Sequence, residues 1–198
     1  MNIKGLLFGF LATAASFSVA VAGGNGNDYK VDTKKSTMGW LGKKVSGEHF
    51  GNVSLASGSL DVAGKAVKGG SFEIDMNSIT CTDMKDAEYS AKLVGHLKAD
   101  DFFGTTKFPK ASFVIGSIKN VKGDENEVTG KLTIKGITQD ITFPATIKVE
   151  GKTVSAKAKI TVDRTKYDIK YGSGLIGTAA DKVINDEFVI DLNLVATK

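Results

Sequence analysis

The chain has 198 residues, a formal net charge of +4 and a single cysteine, Cys81. That length supplies one domain able to bury a core, and a lone cysteine excludes an intrachain disulfide framework. Arg164 is the only arginine; with so few forked guanidinium groups to read phosphates and bases, the chain is a poor candidate for specific nucleic-acid binding, and no nucleic-acid partner is expected.

Residues 1–22 read as a secretory signal peptide. Lys4 gives the positive n-region, Leu6 to Val19 the apolar stretch, and Ala20-Val21-Ala22 the small-x-small cleavage pattern, so the mature chain is expected to start at Gly23. The apolar run is too short and too rich in Ala, Ser and Gly for a membrane span; the competing reading is an uncleaved anchor helix. The expected location is the periplasm, or the exterior after secretion. Residues 23–28 are polar and Gly-rich and form a flexible lead-in. Residues 29–198 form one domain.

Period-two alternation dominates that domain. Tyr29 to Thr33 opens it, Met38 and Trp40 follow on one parity, and His49 to Leu55 and Gly58 to Val62 continue. Phe72, Ile74 and Met76 alternate with Glu73, Asp75 and Asn77, and Ala111, Phe113 and Ile115 form a short set. The second half is cleaner. Val128 to Ile134, Ile141 to Val149, Val154 to Val162 and Phe188 to Leu194 each carry one apolar and one polar face. Lysines sit on the polar parity, as on a solvated outer face. Turns are expected at Ala63-Gly64-Lys65, Gly69-Gly70, Lys122 to Asn126, Gly136 to Gln139 and Glu150-Gly151-Lys152. One segment changes period. From Asp83 to Leu97, Tyr89, Leu93 and Leu97 recur at helical spacing, with Asp83 and Asp86 as candidate caps and Glu88–Lys92 as an i, i+4 pair.

Short strands joined by tight turns predict an all-β antiparallel meander with one inserted helix. A closed barrel of about eight strands fills its interior or holds one small ligand. The alternation fits a solid-packed sandwich equally well, which would make the protein a non-catalytic interaction or structural module.

Catalytic and metal signatures do not emerge. His49 and His96 lie far apart with no ligand spacing around them, so no metal is expected. No nucleophile elbow, Cys-His pairing or phosphate-cradling Gly loop is visible, and no cofactor is expected. Cys81 reads as a small hydrophobe or a free thiol. The expectation is a protein that is not an enzyme.

Several stretches then stand in a familiar order. Ser36 to Gly42 precedes Val45 to Gly51; His96 to Phe103 precedes Phe108 to Phe113; Gly130 to Thr138 runs into Ile141 to Pro144; Val162 to Ile169 precedes Tyr171-Gly172. Order and spacing resemble the YceI-like family of bacterial periplasmic polyisoprenoid-binding proteins, from Tyr29 to Ala196. The resemblance implies an extended lipocalin-like barrel of eight antiparallel strands, with a helix near its opening. It further implies an elongated apolar cavity for an isoprenoid or another amphiphilic lipid, and brings no catalytic residues. Tyr167 stands where the family often has Phe, and Asp168 where Gly is frequent.

Parity supplies a candidate ligand-binding wall: Trp40, Phe72, Ile74, Phe113, Ile115, Leu132, Ile147, Ile160 and Ile190, with Leu97, Phe102 and Phe103 as a gate at the mouth. Plain core packing is the competing reading for each. Arg164 meets either a lipid head group or a carboxylate at a barrel rim. Transient contact with a membrane surface and a homodimer both stay open.

Overall fold

Alternating sequence becomes ten β-strands in the computed structural model, which describes residues 28–198. The expected signal peptide and most of the lead-in lie outside those residues. The strands are β1 (Asp28–Val31), β2 (Thr37–Lys44), β3 (Gly47–Asn52), β4 (Ser54–Ala63), β5 (Ala66–Asp75), β6 (Lys110–Lys122), β7 (Glu125–Ile134), β8 (Ile137–Glu150), β9 (Thr153–Asp163) and β10 (Ile184–Thr197). Helix α1 (Ala87–Lys98) lies between β5 and β6. Asp28, expected in the lead-in, already pairs with Asp61.

All pairings are antiparallel, in the order β1-β4-β5-β6-β7-β8-β9-β10-β2-β3, and a β1–β10 pairing closes the ring. The ten strands make eight staves. β1 and β2 lie end to end on one edge of β10, against Ala196–Thr197 and Ile184–Asn193. β4 and β3 continue beside them in the same way. The break between β1 and β2 falls at Asp32, whose carboxylate accepts from the Lys34 and Lys35 amides at 3.1 Å each. The result is the closed eight-stranded barrel with one helix.

Register places the turns at Gly64, Gly123 and Gly151 at one end of the barrel. The other end carries α1, the β2–β3 tip, the β7–β8 turn and the segment from Arg164 to Val183. The β7–β8 reversal turns at Lys135-Gly136, at φ 50° and 75°, not at Gly136 to Gln139. Two successive positive φ values make the tight turn whose twist matches the strands it joins.

Other expectations also shift. Gly69 and Gly70 are not a turn but sit inside β5, paired with Asp61 and Leu60. A Cβ on Gly70 would stand 2.6 Å from the Ser59 carbonyl and 2.9 Å from the Leu60 side chain, so glycine is there for close approach. β6 runs well past the short set read at Ala111 to Ile115. Register shifts after Ile115 and after Asn120 reset which residues face inward, and the period-two signal is lost at each. The same happens in β4 between Leu55 and Ser57. Helix α1 begins at Ala87, capped by Asp86, which accepts from the Glu88 and Tyr89 amides. Asp83 caps nothing; it binds His49 and the Phe50 amide instead.

The barrel cavity as candidate functional site

Inward parity on the barrel meets small residues at several levels. Gly42, Ala145, Ala156 and Ala158 leave space that larger side chains would fill, and a cavity of about 570 Å³ runs through the interior. That is the size of a small-molecule site, about 300–1,000 Å³. The barrel is not packed solid.

The structure brings all twelve sequence-predicted residues to the wall of this one cavity. Trp40 comes from β2, its indole Nε1 donating to the Thr80 carbonyl at 2.8 Å. Phe72 and Ile74 come from β5, and Phe113 and Ile115 from β6 beside it; the Phe72 and Phe113 rings stack with centroids 6.4 Å apart. Leu132, Ile147, Ile160 and Ile190 follow from β7, β8, β9 and β10 in turn. Phe113 overlies Gly130 so closely that a Cβ there would stand 2.5 Å from its ring. Leu97 projects from α1, and Phe102 and Phe103 from the turn behind it. Phe102 is also buried core, at 7% exposure, so it packs in the core as well as lining the cavity.

Reasoning from sequence missed part of the wall. Phe143 and Phe188 lay on the right parity and were legible. Ile118 was hidden by the β6 register shift, and Ile79 comes from the loop after β5 with no period to signal it.

The α1 end of the cavity is aromatic. His96 meets Phe102 and Tyr171 edge-on, with ring centroids 5.0 and 4.6 Å away, and its Nε2 lies 3.1 Å from Asp101. Arg164 sits beneath this cluster, 5.9 Å from the Phe102 centroid and 3% exposed. Its guanidinium donates to the carbonyls of Asn185, Ile169, Tyr171 and Ile184, and to Asp186 at 3.4 Å. All its donors are engaged. Burial pushes the guanidinium downward in pKa, while Asp186 and Asp163 pull it back. The carboxylate partner is Asp186; Asp163 instead accepts from Thr165. The arginine ties two segments together and leaves no donor for a head group.

His49 lies on the wall with Nδ1 2.9 Å from Asp83. Burial works to raise the Asp83 carboxyl, but bonds from His49, the Cys81 thiol and the Phe50 amide outweigh it and hold it down at about 2. The bond between Cys81 and Asp83 acts oppositely on the thiol. Burial and the bond to Asp83 push its thiol pKa up, so it stays protonated at neutral pH. Among the described residues, no group of three His, Cys, Asp or Glu side chains is placed to hold a metal ion.

Comparison with known proteins follows the geometry. The family model described as YceI-like domain matches residues 29–196. Protein YceI of Shigella flexneri is 28% identical over 200 residues, covering 95% of this chain and 97% of the relative. A UPF0312 protein of Staphylococcus aureus (strain USA300) is 32% identical over 132 residues, covering 62% and 74%. Among solved structures, BcnA of Burkholderia cenocepacia superposes with a TM-score of 0.61 at 25% identity, covering 84% of this chain and 99% of BcnA. A polyisoprenoid binding domain from Saccharophagus degradans, implicated in plant cell wall breakdown, superposes at 0.62 with 16% identity, covering 85% and 97%. The barrel, its inserted helix and a family match over nearly every described residue place the chain in the YceI-like domain family.

Proposed function

We propose that the barrel binds a long isoprenoid or similar amphiphilic lipid in its cavity and carries or stores it, without chemistry. The apolar cavity, lined from nearly every stave, carries this reading. Each buried methylene contributes about 0.8 kcal/mol. Ten such groups reach about 8 kcal/mol, a micromolar affinity before ordering costs. No strong polar motif is needed for that. The polyisoprenoid binding named for the Saccharophagus degradans domain supports the ligand class. A catalytic role finds little support, since the Cys81 thiol is held protonated.

We also propose export to the periplasm, on the signal-like pattern ending at Ala22. Native mass spectrometry of protein purified from the periplasm tests both. The expected mass starts at Gly23 and carries one bound lipid, identified after solvent extraction. A ligand-free protein that also refuses added isoprenoids would remove the carrier role.

A further inference from the structure

The ladder between β5 and β6 runs only from Ser71–Val114 to Asp75–Lys110. Below it, Ala66–Gly70 of β5 pairs with β4 alone, and Ile115–Lys122 of β6 pairs with β7 alone. The wall is split over the part of these strands nearest the Gly64 and Gly123 turns. Facing edges without a ladder leave backbone N–H and C=O groups for another partner.

A polar slot lies at this end, lined by β5 and β6 residues and by residues of β7 and β8, and Val67, Ile118 and Ile147 line both the slot and the main cavity. The two spaces share these walls. Along β6 the cavity wall runs Phe113, Ile115 and Ile118, and the slot continues it with Asn120; along β7, Leu132 and Val128 give way to Asn126. Both rows change from apolar to amide at one level, where Asn120 Nδ2 donates to Asn126 Oδ1 at 3.2 Å. Lys65, Lys68 and Lys148 border the slot, as do Asp124 and Glu150. Lys148 pairs with Asp124 at 3.5 Å. Among the described residues this leaves the Lys65 and Lys68 ammonium groups free at the slot, against the single carboxylate of Glu150. The opposite end of the cavity, under α1, carries the His96, Phe102 and Tyr171 rings, and Lys43, Lys44 and Lys182 also line it there.

We propose that the β5–β6 slot is a second opening of the barrel and the head-group site of a single-tailed anionic amphiphile, whose tail runs up the cavity towards α1. This rests on the lipid-binding reading above. Lys65 and Lys68 supply the counter-charge of the head, and the split wall lets the head stay in water while the tail is dry.

The test uses 5-doxyl stearate, whose nitroxide lies close to the carboxylate, with the nitrogen-15-labelled protein. Amide signals of Lys65–Lys68 and Asn120–Asp124 should broaden most, and those of Lys43–Ser46 least. Broadening centred on Lys43–Ser46 would reverse the ligand and overturn the site. A second arm compares stearate with stearyl alcohol. The Lys65→Glu/Lys68→Glu protein, changed only at exposed positions, should bind stearate about five-fold more weakly or worse and the alcohol unchanged. An unaltered ratio between the two ligands would overturn the anionic head group. If the unmutated protein takes up neither ligand, the head-group site for a single-tailed amphiphile falls, while uptake or refusal of added isoprenoids decides the carrier reading separately.

Discussion

Tyr167 is 1% exposed, and its hydroxyl has no hydrogen-bond partner among the described residues. Burial, and then the nearby Asp163 charge, push its pKa from 10.0 up to about 12. The neutral form is favoured in the fold, so that preference is fully present below the unfolded value and lost as pH rises through the folded one. Tyr167→Phe is expected to keep the fold and gain up to about 1 kcal/mol, because an unpaired buried hydroxyl disappears. It should also lack the extra alkaline loss of stability between about pH 10 and 12. Urea unfolding of both proteins across that range reads the difference. Arg164 is the opposite case, with every donor engaged. Arg164→Met strands four carbonyls and Asp186, and should cost about 3–5 kcal/mol. Lipid retention by the folded fraction should persist, since the guanidinium has no donor left for a ligand; loss of retention at full stability would show that it does touch the ligand.

Helix α1 has no buried residue over its whole length. Leu93 and Leu97 line the cavity while Tyr89 is 64% exposed, so only part of the helical stripe read from the sequence meets the barrel. The Glu88–Lys92 pair forms at 2.7 Å but between exposed side chains, where it contributes little. The Asp86 cap matters more. Asp86→Ala should cost the helix about 1 kcal/mol, seen as roughly five-fold faster amide exchange along Ala87–Lys98. The barrel strands should keep their protection. Parallel loss throughout the barrel would mean that α1 is part of the same cooperative unit. β6 makes the complementary point: its register shifts decide that Ile118 faces the cavity, which strict alternation from Ile115 does not give.

The closed ring is what turns separate apolar faces into one cavity. β10 carries β1 and β2 in series, and that arrangement lets eight staves meet around a hollow centre. A charge placed on the cavity wall tests the hollow as a site. Ile147→Arg, and separately Phe113→Arg, should abolish lipid retention while an unligated fold survives, since the long arginine stem can carry its charge to the cavity's water. Extraction of lipid from purified variants and circular dichroism of the same samples give the two readings. Unchanged retention in a folded variant would remove that residue from the ligand wall.

Local chemistry was legible because it is local. Period-two alternation, glycine at Gly64, Gly123 and Gly151, the change to helical spacing before Leu97 and the ordered stretches from Ser36 to Tyr171 were all written in adjacent residues. They determined the strands and the inserted helix; alternation fitted a sandwich equally well, and the barrel class and the family rested on the resemblance of the ordered stretches. Parity also chose cavity-facing residues such as Phe72, Phe113 and Ile160 from sequence alone. It could not distinguish a wall from a core, because both demand the same apolar face. That distinction belongs to tertiary structure: Ala145 and Ala158 must pair between β8 and β9, with Ala156 two residues along, before their small size becomes space. The Arg164 carbonyl hub and the split between β5 and β6 arise likewise from segments far apart in the chain. Long-range pairing, which no run of neighbouring residues encodes, decided both.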